Sequence, residues 1–159
     1  MRCSVIAVGR LKEKPYQEMA AEYLKRLSRY GRFEMIELPD LPEPVNSSPA
    51  IEEQIKQKEG AAILQRIRPN DHVIALTIPG KAYDSPALAA HLEKVTAACP
   101  GTVVFAIGGS LGLSREVLAR ADEELSMSKL TFPHQLARVM LLEQLYRCMK
   151  IGAGERYHK

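Results

Sequence analysis

Two segments in the last third of the chain place small, backbone-exposing residues directly after predicted strands. The first, 108–112, reads Gly-Gly-Ser-Leu-Gly and follows an apolar run. The second, 127–132, reads Met-Ser-Lys-Leu-Thr-Phe and precedes a long helical pattern. Because ligands of open α/β sheets bind outside the carboxyl ends of the strands, these two segments predict a small-molecule site.

Main-chain groups would supply the polar contacts of this site. Groups at Gly108 and from Ser128 to Phe132 could hydrogen-bond an adenine and a ribose, and Leu76, Leu130 and Phe132 could enclose the ring. A mostly apolar pocket with a few placed polar partners is typical of small-molecule sites. Neither Gly-x-Gly-x-x-Gly after the first strand nor a P-loop is present, so the common nucleotide fingerprints are excluded.

The last five residues, Glu-Arg-Tyr-His-Lys, are a second candidate for chemistry. They follow two nearby glycines, which predicts a flexible arm that becomes ordered on its substrate. Arg156 and Lys159 would then contact phosphates, and Tyr157 or His158 would lie near the reacting groups. The alternative interpretation is a frayed terminus.

Apolar runs alternate with helical patterns along the whole chain. Strands are predicted at 3–8, 33–38, 72–77, 102–107 and 124–127. Helices are predicted at about 15–30, 49–68, 85–98, 114–121 and 133–151. This alternation predicts an α/β fold, a parallel sheet with helices on both faces, and the fully apolar fourth strand is expected at its centre.

The last predicted helix is apolar around most of its circumference, which indicates burial on more than one side. One side would face the sheet, and the other is most simply covered by a second copy in a symmetric homodimer. Burial within one chain is the alternative.

Composition narrows the class of protein. A chain of 159 residues with 46% hydrophobic and 26% charged residues is expected to form one globular domain, 1–159. Three widely spaced cysteines without a Cys-x-x-Cys pair disfavour disulfides and zinc and suit a cytoplasmic protein. No metal site, signal peptide or membrane-spanning run is predicted.

Charge is distributed unevenly. Residues 1–32 carry eight basic and three acidic side chains, a net of +5, and residues 129–159 carry six and two, a net of +4. Residues 33–128 carry eight and 14, a net of −6. If the basic ends meet in the fold, they would form a patch for a polyanion; otherwise they are a solvated surface.

Several motifs together resemble the bacterial ribosomal RNA large subunit methyltransferase H family, over nearly the whole length. They are VGRLKEK (8–14), IPGK (78–81), FAIGG (105–109), GL (112–113), SMSKLTFPH (126–134), RV (138–139), EQLYR (143–147) and YHK (157–159). The chain departs from the family at Leu111, where the family has a polar residue.

The resemblance implies a SPOUT α/β fold with a deep C-terminal trefoil knot, and a homodimer packed through the C-terminal helices. It implies methylation, with S-adenosylmethionine, of N3 of a pseudouridine in the helix 69 loop of 23S rRNA on the assembled ribosome. No membrane or DNA partner is implied. The family's cofactor contacts fall on Leu76, Gly108, Met127, Ser128, Lys129, Leu130, Thr131 and Phe132.

The chemistry of the implied reaction points to three candidate catalytic residues. A sulfonium methyl group is already activated, whereas the imide N3 must lose its proton, which requires a base or a stabilising cation. Arg138, Tyr157 and His158 are the candidates, with His158 as the base. Two rivals remain: a non-catalytic ribosome-binding factor and a SPOUT enzyme that methylates tRNA.

Overall fold

The computed structural model describes all 159 residues as alternating strands and helices. The strands are β1 (Arg2–Val8), β2 (Arg32–Leu38), β3 (His72–Ala82), β4 (Val103–Ile107) and β5 (Glu123–Ser126). The helices are α1 (Lys14–Leu27), α2 (Pro49–Leu64), α3 (Ser85–Ala98), α4 (Arg115–Arg120) and α5 (His134–Gly152). The predicted alternation is confirmed.

The five strands form one parallel sheet in the order β2-β1-β4-β3-β5. The central strand is β4, as its uninterrupted apolar sequence predicts, and all five of its residues are buried. Consecutive parallel strands need a crossover connection, and each one here passes over a face of the sheet as a helix. The fold class, α/β with a parallel sheet, is confirmed.

A separate apolar core fills the space on each face of the sheet. Strand residues of one parity, such as Phe105, pack with α1, α3 and α5. Residues of the other parity, such as Val104, pack with α2 and α4. This division follows from the two-residue period of a strand. None of the helices combines the length and apolar character needed to cross a bilayer.

Three of the five helices, α2, α3 and α4, begin at a side-chain cap. The side chains of Ser48 and Ser114 accept hydrogen bonds from the main-chain N–H groups of Ile51 and Val117, both at 3.3 Å. Helix α3 begins at Ser85, as predicted. Asp84 caps this helix, and the Ser85 hydroxyl donates to Gln144 on α5.

The third strand is longer than predicted. Its pairing with β5 shifts between Leu76 and Lys81, both of which lie opposite Leu125. The intervening residues, 77–80, form a bulge, and pairing resumes as far as Ala82. The strand is predicted to end at residue 77, but a bulge accommodates the proline and the glycine that follow, and the strand continues. Helix α2 ends at Leu64, four residues earlier than predicted.

Helix α5 lies between α1 and α3 on one face of the sheet. None of its residues from 134 to 151 is exposed, although only one chain is present. The chain itself therefore covers most of the apolar surface that suggested a second subunit. Leu136 and Met140, one turn apart, are half-buried and lie outside the core cluster.

Candidate functional site

A cavity of about 690 Å³ lies beside the bulge of β3 and at the carboxyl ends of β4 and β5. Its volume is in the range of small-molecule sites. Nineteen residues line it, and ten of them are hydrophobic. They are Leu76, Thr77, Ile78, Ile107, Gly108, Gly109, Ser110, Leu111, Gly112, Leu113, Leu125, Met127, Ser128, Leu130, Thr131, Phe132, Pro133, His134 and Ala137.

Three segments build the walls of the cavity. The bulge of β3 (77–80) supplies one wall, and the turn after β4 (108–112), which we call the glycine turn, supplies the second. The third is the β5–α5 loop (127–133), followed by the first turn of α5. Parallel pairing places these segments together, because the carboxyl ends of the strands share one edge of the sheet.

The glycine turn is closed by its own main chain. The N–H of Gly112 donates to the carbonyl of Gly109 at 3.1 Å, and Gly112 has a φ of +85°. A Cβ atom at Gly108 would lie 2.5 Å from the carbonyl carbon of Gly112. Gly108 is therefore required for the turn to close, in addition to any contact that it makes with a ligand.

Seven of the eight predicted cofactor contacts line the cavity. They are Leu76, Gly108, Met127, Ser128, Leu130, Thr131 and Phe132. Lys129 does not line it, and its side chain is exposed. Sequence reasoning did not identify Ala137, because its place one turn inside α5 is apparent only once the helix start is known. His134 also lines the cavity, and burial, followed by the charge of Arg138, lowers its pKa.

The side chain of Arg138 is fully buried and does not line the cavity. Its Nη2 donates to the carbonyl of Val8 at 2.6 Å, and its Nη1 donates to that of Gly9 at 2.8 Å. Nη1 also lies 3.5 Å from Oε1 of Glu37. Gly9 has a φ of +90°, and a Cβ there would lie 3.4 Å from Nη2. The guanidinium thus joins the first turns of α5 to the end of β1.

The C-terminal tail, residues 153–159, packs along its own chain, on the second half of α5. The Tyr157 hydroxyl donates to Glu143 at 3.2 Å, and the ring lies edge-on to Tyr146. Burial, followed by the charge of Glu143, raises the pKa of Tyr157 to about 12, so its hydroxyl stays protonated at neutral pH. The Nδ1 of His158 lies 3.5 Å from Nη1 of Arg147.

The tail therefore lies apart from the cavity of its own chain. The cavity contacts α5 at His134 and Ala137, whereas the tail contacts it from Glu143 onward. Neither Tyr157 nor His158 lines the cavity. The structure brings together seven of the eight predicted cofactor contacts. None of the three predicted catalytic residues lines the cavity of the same chain: Arg138 lies behind its lining, and Tyr157 and His158 lie apart from it.

The two basic ends of the chain meet around one aromatic ring. The guanidinium carbon of Arg26 on α1 lies 5.8 Å from the ring centre of Tyr146, and Nζ of Lys150 on α5 lies 5.7 Å from it. The Tyr30 hydroxyl also donates to Glu155 in the tail, at 3.0 Å. The predicted meeting of the N- and C-terminal basic segments is therefore present in the fold.

Comparison with known proteins agrees with this architecture. A family model described as "Predicted SPOUT methyltransferase" matches residues 1–158. The chain belongs to the SPOUT methyltransferase family. It is 51% identical, over all 159 residues of both chains, to proteins named "Ribosomal RNA large subunit methyltransferase H" from Bacillus thuringiensis (strain Al Hakam), Bacillus cereus (strain B4264) and Bacillus anthracis. The resemblance read from the motifs is confirmed.

The contacts of Arg138 predict a large structural effect when it is replaced. Arg138→Met should lower the free energy of unfolding by about 3–5 kcal/mol, because two carbonyls and Glu37 lose their buried donor. Denaturant unfolding measures this. Arg26→Met, which removes an exposed ion pair with Glu22, should cost no more than about 1 kcal/mol. Equal effects of the two substitutions would contradict the structural role of Arg138.

Proposed function

We propose that this protein uses S-adenosylmethionine to methylate 23S rRNA, at N3 of a pseudouridine in the helix 69 loop of the assembled ribosome. The observation that carries the proposal is the neutral, loop-built cavity at three strand ends in a chain of the SPOUT methyltransferase family. The names of its full-length relatives support ribosomal RNA as the substrate. The reaction would take place in the bacterial cytoplasm.

The residues around the cavity fit this cofactor. Leu76, Leu130 and Phe132 offer apolar surface for an adenine ring, and the glycine turn and β5–α5 loop expose main-chain groups to a ribose. When bound, the cofactor supplies an activated methyl group. The chain's own task is to hold it, exclude water and bring the nucleobase to it. The trefoil knot implied by the family would hold the two loops face to face.

Removal of the N3 proton is assigned to the tail. The ring nitrogen of a histidine that carries no hydrogen can accept a proton. Nδ1 of His158 lies 3.5 Å from Nη1 of Arg147, and the Tyr157 hydroxyl donates to Glu143, so the tail would leave both contacts when it meets the nucleobase. His158 would then accept the proton, and the Tyr157 hydroxyl would donate a hydrogen bond to the nucleobase. Arg138 contributes by fixing α5, on which the tail rests.

A second copy of the chain would complete the site. The tail rests on the second half of α5, away from the cavity beside His134 of its own chain, and we propose that it acts on the cavity of a partner. Leu136 and Met140 on α5, and Ile78 and Leu130 at the cavity rim, offer apolar surface for that partner. We therefore propose a homodimer packed through α5.

Recognition of rRNA would use the basic surface around Tyr146. Cations from both ends of the chain lie there beside three further tyrosines, Tyr23, Tyr30 and Tyr157. Cationic groups contact phosphates and aromatic rings stack on bases, so this surface suits RNA. It would equally suit a non-catalytic ribosome-binding factor or a tRNA methyltransferase. A non-catalytic factor would not bind the cofactor, and a tRNA methyltransferase would methylate tRNA in place of 23S rRNA.

Filling the cavity should abolish cofactor binding. Ala137→Phe places an aromatic ring on the cavity wall and should weaken S-adenosylmethionine binding, measured by titration calorimetry, by at least about 100-fold. Ala21→Phe, on the exposed face of α1, is the matched control and should bind like the wild type. A wild-type protein that does not bind S-adenosylmethionine would refute the enzymatic proposal, and normal binding by folded Ala137→Phe would refute the site.

Replacing His158 should separate turnover from affinity. His158→Ala should lower kcat on ribosomes by about 10²-fold or more, the usual contribution of general base catalysis, with little change in ribosome affinity. Lys159→Ala is the neighbouring control and should weaken affinity with little change in kcat. If His158→Ala instead lowers affinity and turnover in step, His158 contacts phosphate and the base lies elsewhere.

The dimer is tested by sedimentation. Met140→Asp should convert a micromolar dimer to a monomer, because an interface cannot bury an unpaired carboxylate without a cost of several kcal/mol. Val45→Asp alters a fully exposed apolar side chain in the β2–α2 loop and should leave the dimer intact. A wild-type protein that sediments as a monomer at micromolar concentration would rule the dimer out.

A further inference from the structure

The cavity is lined without a single permanently charged side chain. None of its nineteen lining residues is Asp, Glu, Lys or Arg, and its one titratable group, His134, has a lowered pKa. A cationic ligand would therefore have no counter-charge in direct contact. Its charge would instead be felt by the ionised groups immediately behind the lining, where the low dielectric lets a field act over a longer distance.

One carboxylate stands directly behind the wall. Glu59 on α2 is only 7% exposed, and its Oε1 accepts a hydrogen bond from the main-chain N–H of Leu41 at 3.1 Å. Its Oε2 makes no hydrogen bond within the chain and would lie 3.2 Å from a Cβ atom on Gly109, which lines the cavity. The absence of a side chain at Gly109 lets the carboxylate approach the back of the glycine turn.

The stability of the fold does not account for an ionisable side chain at this position. Burial, aided by the nearby carboxylate of Asp40, raises the pKa of Glu59, so the ionised form of the side chain is disfavoured in the folded chain. A glutamine could accept the same hydrogen bond from Leu41 without that cost. An ionisable side chain kept at a cost to stability beside a ligand cavity is a candidate for a functional role.

We propose that the Glu59 carboxylate makes the cavity selective for a cationic ligand over its neutral counterpart. This inference rests on the proposed function. The methyl donor carries a positive sulfonium, whereas the product, S-adenosylhomocysteine, carries a neutral thioether and is otherwise nearly the same in shape. A carboxylate behind the wall favours the sulfonium alone, so donor binds while product is released. Glu59 thus sets specificity and does not react.

The test measures the affinities of two ligands for each protein and compares their ratio between the wild type and a variant. Titration calorimetry gives the ratio of S-adenosylmethionine to S-adenosylhomocysteine affinity for the wild type and for Glu59→Gln. The ratio should fall by about five- to thirtyfold in Glu59→Gln, as Coulomb's law gives for unit charges about 8–15 Å apart at an effective dielectric constant of about 20. The affinity for S-adenosylhomocysteine should stay near the wild-type value.

Glu124→Gln is the matched control. Glu124 also lies close to the cavity, where its Oε2 accepts from the Thr77 hydroxyl at 2.7 Å, but it is exposed to solvent. Water and salt screen its charge, so the affinity ratio should change by less than about twofold. Glu59→Gln should also unfold at a higher temperature than the wild type at pH 7, because it removes an unfavourably buried charge.

A measurement on the unaltered protein supports the comparison. The pKa of the Glu59 carboxyl, followed by carbon NMR alongside that of Asp40, should fall when S-adenosylmethionine is added and stay constant with S-adenosylhomocysteine. If the wild type binds neither ligand, the proposed function fails. If it binds both and Glu59→Gln leaves the ratio unchanged, or weakens both ligands equally, Glu59 has no role in selecting charge and the proposed function stands.

Discussion

The buried guanidinium of Arg138 is the interaction on which the rest of the site depends. It bonds to two carbonyls at the end of β1 and so sets where α5 begins relative to the sheet. Helix α5 carries one wall of the cavity near its start and the resting place of the tail near its end. An arginine suits this role because its planar guanidinium holds separate N–H donors in fixed positions, one for each carbonyl.

Much of the architecture could be predicted from the pattern of apolar residues along the chain. The apolar run of β4 predicts its central place, and the segments that follow Leu76, Ile107 and Ser126 predict a shared ligand site because parallel strands end at one edge. The features that could not be predicted from the sequence depend on the register between strands. The bulge at 77–80 exists because β5 pairs with β3 twice, and this pairing is not encoded in either strand alone.

The candidate site shows the same limit at the level of single side chains. Arg138 follows a loop of the site in sequence, yet the 3.6-residue period of α5 turns it toward β1, and Ala137 faces the cavity instead. Glu59 lies in a helix of strongly charged composition, where it reads as one of many solvated side chains. Only the packing of α2 against the glycine turn shows that it is buried.

The cavity has a neutral lining with a carboxylate behind it, and this arrangement suits a ligand that changes its charge during the reaction. A carboxylate in direct contact would hold a cation through a hydrogen bond and depend closely on geometry, whereas one behind Gly109 acts through its field. Because the field acts on charge and is insensitive to shape, it can distinguish two ligands that fill the cavity equally. The apolar lining and the main chain then select a ligand by its shape, and the carboxylate behind them selects it by its charge.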